Sequence, residues 1–170
     1  MGGYRLIDTL TAIGSEHENT VTEAVLDGAS FVFPANFFVP GKVIKWECLI
    51  EVIDSNSTDT LATVVYLGPT TLTTAVASFG AVDAADADCI HLMGTIQAHD
   101  VDGSGTLVSI VEGSDLAGSG ETEGTETHFS RQTTIDFTAA LRLEIGVDWS
   151  VAHADNEVAC VLWYVTEVTS

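Results

Sequence analysis

Nine residues from Leu141 to Trp149 alternate without a fault: Leu141, Leu143, Ile145, Val147 and Trp149 are apolar, and Arg142, Glu144, Gly146 and Asp148 stand between them. A two-residue period puts successive side chains on opposite faces of an extended strand, one face for a core and one for water. A helix cannot use this period, because its turn would scatter the same apolar positions around the whole circumference. Residues 43–53 repeat the pattern, with Ile44, Trp46, Cys48, Ile50 and Val52 set against Lys45, Glu47 and Glu51. Composition points the same way: 21 Thr, 19 Val and 10 Ile make 50 of the 170 residues β-branched, types that pack well on a pleated surface.

Six further strands are predicted at 61–67, 71–79, 89–99, 106–111, 127–137 and 157–168. Turn-forming stretches such as Asp54 to Asp59, Gly68-Pro69 and Asp155-Asn156 lie between them. The segments 80–88 and 113–124, rich in small and acidic residues, read as exposed polar loops. About eight strands at short spacing, with no convincing helix, give an all-β chain: an antiparallel two-sheet sandwich of jelly-roll type. At 170 residues it is long enough for one real core. The expected division is an extended N-terminal arm, 1–40, ahead of a sandwich domain, 41–170. Four of the seven phenylalanines, Phe31, Phe33, Phe37 and Phe38, fall in eight residues around Pro34 and Pro40. Such a cluster does not stay in water, so it closes one end of the sandwich or packs on a neighbouring subunit or shell. Trp46 and Trp149 lie on the apolar phase of their strands. Trp163 shares its phase with Glu157 and Glu167, which makes it the candidate for an exposed aromatic contact.

Charge narrows the partners. Twenty-five acidic residues stand against five Lys and Arg, a net charge of −20, and the cations are scattered from Arg5 to Arg142. Nucleic acid and anionic membrane surfaces, which take their affinity from clustered cations, are excluded as direct partners. Self-repulsion on this scale suits saline water, marine or halophilic, in which salt screens it. The chain shows no membrane-spanning run and no secretory signal, and is expected to be soluble. Cys48, Cys89 and Cys160 are odd in number and widely spaced, so they read as small buried hydrophobes without a disulfide framework or zinc pattern.

Residues with chemical potential each have a plainer use. Asp100-Val101-Asp102-Gly103-Ser104-Gly105 resembles the opening of a calcium loop, but its twelfth position is Val111, which offers no bidentate carboxylate. A polar hairpin turn is the favoured reading, with Asp100, Asp102 and Ser104 kept as a candidate cation site; no other cofactor is expected. Asp83, Asp86 and Asp88 read as a solvated acidic loop. His91 and His99 share a strand face but stand about 26 Å apart when extended, too far to share a metal. No G-x-S-x-G elbow is present, and Glu121, Glu123 and Glu126 sit in a loop unsuited to a fixed acid pair. Asn56-Ser57-Thr58 is a formal glycosylation sequon in a turn.

Three stretches together carry a family resemblance: Ser30-Phe31-Val32-Phe33-Pro34-Ala35-Asn36-Phe37-Phe38-Val39-Pro40-Gly41-Lys42 before the first sandwich strand, His91-Leu92-Met93-Gly94-Thr95-Ile96 through Asp102-Gly103-Ser104-Gly105-Thr106, and Thr133-Thr134-Ile135-Asp136-Phe137 with Asp148-Trp149-Ser150 through Asn156-Glu157-Val158. Across residues 30–168 the chain resembles the small jelly-roll structural proteins of tailed viruses that decorate the capsid or form tail appendages. The resemblance implies a non-enzymatic subunit, commonly a homotrimer, that binds the major capsid protein and cements the outer surface of the head, with residues 1–40 as its anchor. The alternatives are a tail-fibre or receptor-binding module that meets a host glycan or protein through loops 80–88 and 113–124, or a carbohydrate-binding module.

Overall fold

The computed structural model describes residues 3–18, 20–56, 59–100, 105–116 and 122–169. Eleven strands follow one another: β1 (Gly3–Thr9), β2 (His17–Glu18), β3 (Ala24–Phe33), β4 (Val43–Asp54), β5 (Thr60–Gly68), β6 (Ala75–Asp83), β7 (Cys89–Asp100), β8 (Gly105–Leu116), β9 (Thr122–Ile135), β10 (Leu141–Trp149) and β11 (Glu157–Thr169). The described residues contain no helix. The large sheet runs β1-β11-β4-β7-β8-β9, with β2 paired to the start of β11, and the small sheet runs β3-β10-β5-β6. Every pairing is antiparallel. Between β3 and β6, and again from β9 to β11, the chain crosses from one sheet to the other, the habit of a jelly-roll type sandwich.

The predicted alternation builds the core. Ile44, Trp46, Cys48, Ile50 and Val52 of β4 and Leu141, Leu143, Ile145, Val147 and Trp149 of β10 are all buried in one cluster. Gly94 sits opposite Trp46 in the register, and a Cβ there would lie 2.5 Å from the indole. The glycine leaves room for the Trp46 indole against β7, and on the β11 side of β4 the Trp46 and Trp163 ring centroids are 6.1 Å apart. Cys48 and Cys160 are buried with their sulfurs 3.9 Å apart, and Cys89 is half-buried.

Three departures from the expected layout have physical causes. First, residues 1–40 are not an arm set apart from the sandwich. They supply β1 and β2 to the large sheet and β3 to the small one, which raises the count from eight strands to eleven. β3 hides its period because a bulge, marked by the register shift between Glu144 and Gly146 and by Gly28 at φ 79°, moves the phase. Leu26 and Ala29, three residues apart, therefore both point into the core. Removing residues 1–40 would strip strands from both sheets, so anchor and sandwich cannot be separated there. Second, the strand expected at 71–79 begins at Ala75; Leu72 and Thr74 have positive φ and form the turn ahead of it. Third, the expected loops shrink, since β6 runs to Asp83, β8 to Leu116, and β9 begins at Thr122.

Candidate interaction surface

With one face of the large sheet in the core, its outer face is a regular surface six strands wide among the described residues. The register lays its side chains in rows: Tyr4, Val168, Val43, Gln97, Val108 and Arg131, then Leu6, Thr166, Lys45, Thr95, Ile110 and Phe129, then Tyr164, Glu47, Met93, Glu112 and Thr127. Tyr4, Leu6, Met93, Ile110, Phe129 and Leu162 are large apolar side chains exposed on this face, Tyr4 at 67% and Phe129 at 68%. Isolated exposed apolar residues are ordinary, whereas several gathered on one regular face mark a contact surface.

A groove of about 440 Å³ runs along the middle of this face, lined among others by Lys45, Glu47, Met93, Ile110, Glu112 and Tyr164. Two side chains hold Glu47 in place there. The Tyr164 hydroxyl donates to Glu47 Oε2, and His91 Nε2 lies 2.7 Å from Oε1 as a donor. Burial pushes the Glu47 carboxyl up, but these two hydrogen bonds and the His91 charge outweigh it and hold it below the usual carboxylate range. The bond to Glu47, with burial, pushes Tyr164 up to about 12. The signs are opposite. A depressed carboxyl contributes stability above its unfolded pKa and loses it as pH falls through the folded value. A raised phenol contributes below its unfolded pKa and loses it as pH rises through about 12. An ultraviolet titration of the phenols is therefore expected to show Tyr164 ionising late, and Glu47→Gln is expected to return it toward the ordinary range. An unmoved titration would mean that the two side chains are not bonded in solution.

Glu47 and Glu112 lie in one row with Met93 between them, so their Cα atoms are two strand spacings apart, about 9.5 Å. This is an acid pair on a rigid sheet; of the acids singled out from sequence, Glu121 lies outside the described residues and Glu126 accepts from His128 at 3.3 Å. A second groove at the sheet's corner is lined by His99, Asp100, Thr106, Val108, Phe129 and Arg131. A third pocket, about 90 Å³ and mainly apolar, opens between the sheets beside Leu61, Phe79, Ile90 and Leu92.

The residues singled out from sequence fall elsewhere. Trp163 is 2% exposed, and its indole N–H donates to Asp8 Oδ2 at 2.8 Å, so it is a core residue and no surface contact. A bulge between Cys160 and Leu162 shifts the phase of β11, which breaks its alternation with Glu157. Glu167 keeps the inward phase because Arg5 and Lys42 pair with it at the rim. Phe33 and Phe38 are buried, Phe31 and Phe37 half-buried, and the four rings stack on one another and on Phe137. The cluster closes one end of its own sandwich and offers little to a partner. Asp100 is exposed, while Asp102 and Ser104 lie outside the described residues. Among the described residues no group of three His, Cys, Asp or Glu is placed to hold a metal. In the acidic loop, Asp86 accepts from the Ser55 amide at 2.8 Å and Asp88 from the Ala85 amide at 2.8 Å, which are turn-forming uses. Phe129, Lys45 and Arg131 were not singled out, although one signal was available: Phe129 is a lone large hydrophobe in the otherwise polar run from Thr125 to Thr134.

No protein-family model matches the chain, and no curated protein matches it. Solved structures do. The CBM2 module of the evolved Dit of Lactobacillus casei BL23 phage J-1 is 12% identical over 93% of this chain and 76% of that one, with a TM-score of 0.43. A protein of unknown function from Shewanella oneidensis MR-1 is 11% identical over 98% and 76%, with a TM-score of 0.42. Peanut lectin is 9% identical over 100% and 99%, with a TM-score of 0.35. At such distances, what the chain does has to be read from its own residues.

Proposed function

We propose that this chain is a non-enzymatic virion subunit, a decoration or cement protein that sits on the outer surface of a tailed-virus head, binds the major capsid protein and assembles as a homotrimer. The observation that carries the reading is the set of exposed large apolar side chains on the outer face of the large sheet, Tyr4 and Leu6 along its β1 edge and Ile110 and Phe129 along its β8–β9 edge, on a chain of net charge −20. The family resemblance supplies the setting, and a rigid sandwich supplies a flat platform that keeps its shape when it docks. The test is cosedimentation of the full chain with heads of the virus that encodes it. Saturable binding is expected, and Phe129→Ser is expected to weaken it about tenfold, the scale on which an aromatic interface anchor is lost. Heads that leave the chain in the supernatant would overturn the proposal.

A second reading is favoured by the groove itself. Tyr164, with the Glu47 and Glu112 carboxylates on a rigid sheet, has the makings of a sugar site, which would suit a receptor-binding or carbohydrate-binding module. Glycan-array binding that disappears in Glu112→Gln, with no binding to heads, would decide for it.

A further inference from the structure

The fold brings all five Lys and Arg to the end of the sandwich at which β4 begins. Lys42 and Lys45 stand at that start, and Arg5 on β1 is opposite Glu167 near the end of β11. Arg131 is in the last third of β9, and Arg142 is the second residue of β10. Farther along the outer face of the large sheet, the rows beyond Lys45 hold Glu47 and Glu112, then Glu51, and no Lys or Arg among the described residues. The half-buried Cys89, paired with Glu51 in the register, feels the negative field of this region: its thiol is pushed up by burial and by the charges of Glu51 and Asp88.

The groove of about 440 Å³ lies at the edge of this acidic region, with Glu47 and Glu112 flanking Met93 in one row and Ile110 in the next. What it offers a guest is nearly all acceptor. The donors at Glu47, the Tyr164 hydroxyl and His91 Nε2, are already bonded to it. Glu112 is exposed and, among the described residues, has no hydrogen-bond or ion-pair partner. Among those residues Lys45 pairs with neither carboxylate; its ammonium lies 5.7 Å from the centre of the Tyr4 ring, on the β1 side of the sheet. A guest suited to the groove brings positive charge and donors, asks for no donor in return, and carries an apolar stem to cover Met93 and Ile110. A lysine side chain has this composition: N–H donors without an acceptor, at the end of a methylene stem. A sugar does not, because each hydroxyl accepts as well as donates and the groove has little left to give. A chain of net charge −20 also draws a basic surface toward it.

We infer that the groove between Glu47 and Glu112 takes a lysine side chain of the protein surface on which this chain docks, its ammonium paired with the carboxylates and its methylenes lying on Met93 and Ile110. The inference rests on the virion reading and names the chemistry that the head presents.

The groove is read without any head by nuclear magnetic resonance of the isotope-labelled full chain, titrated with Nα-acetyl-L-lysine methylamide and with its norleucine analogue, which keeps a methylene stem and lacks the ammonium. Shifts confined to the amides around Glu47, Met93, Ile110 and Glu112 are expected with lysine and absent with norleucine. Glu112→Gln should abolish them, and Glu18→Gln, at the acidic end on β2, should leave them unchanged. Shifts spread over the acidic end at large, or none, would overturn the inference, and so would glycan binding that is lost in Glu112→Gln, which gives the groove to a sugar. Melting temperatures confirm that each variant is folded. In cosedimentation with heads, Glu112→Lys is expected to weaken binding about tenfold, and acetylation of the lysines on the head to weaken it at least as much. Heads that bind wild type and Glu112→Lys equally, or whose binding survives acetylation, would overturn the inference and leave the virion reading standing. Heads that bind no wild-type chain would overturn the virion reading, while the shifts with the lysine probe still decide whether the groove takes lysine.

Discussion

Phe33→Ala is expected to lower the unfolding free energy by about 3–5 kcal/mol, the range for removing a large aromatic side chain from a core. Phe33 is fully buried, with ring centroids of Phe31, Phe37 and Phe38 at 4.9, 5.1 and 5.0 Å. It also forms the last pair of the β3–β10 ladder, opposite Leu141, at the point where the chain leaves the sheet for the turn to β4. Three aromatic neighbours add to the area it buries, and the surrounding rings belong to β3 itself and to the β3–β4 connection, which are held by the sheet and cannot collapse freely into the space. Against a total stability of about 5–15 kcal/mol for a domain, the loss is large enough to leave a substantial unfolded fraction. Chemical denaturation is the measurement: the midpoint should fall with the slope unchanged. A change below about 1 kcal/mol would show that the cluster does not seal the end of the sandwich.

At the opposite end, Asn156→Ala is expected to cost about 3 kcal/mol, because it removes a donor from the buried Asp59 carboxyl and leaves two backbone groups unpaired. Asn156 has no exposed surface. Its amide group donates to Asp59 Oδ2 at 2.9 Å and to the Val151 carbonyl at 2.9 Å, and its carbonyl accepts from the Asn56 amide at 3.0 Å. Asp59 is 4% exposed, so the carboxylate cannot turn to water for what it loses. One side chain thus staples the β4–β5 connection to the β10–β11 connection. A double-mutant cycle with Asp59→Ala isolates the pair: the two substitutions together should cost less than the sum of the separate losses, by about 0.5–3 kcal/mol. Strict additivity would show that the bond is not made in solution.

What was legible from residues alone follows the quality of the alternation. β4, β7 and β10 match the predicted segments closely, since each carries an apolar residue at every second position for most of its length, and β11 matches in extent through its β-rich apolar run although a bulge changes its phase. β1 was illegible for a different reason from β3. It is a seven-residue edge strand, mostly exposed, whose partner β11 lies at the far end of the chain, so nothing local marks it. The acid pair Glu47 and Glu112 was hidden in the same way. The two residues are far apart in sequence, and only the β4-β7-β8 order sets them in one row.

By itself the sequence determined the all-β class, the sandwich and most of its core, because a two-residue period and β-branched composition act locally and bury one face of each strand. Tertiary structure alone decided the rest. Bulges in β3 and β11 insert an odd number of extra residues and so reverse the phase, which turns Trp163 inward and makes Leu26 and Ala29 share a face. Strand order then decides which residues meet, and it gathers five scattered cations at one end of a chain that is otherwise acid throughout. The physical reason is that period is a property of neighbours in sequence, whereas charge segregation and shared rows are properties of register, which long-range pairing sets.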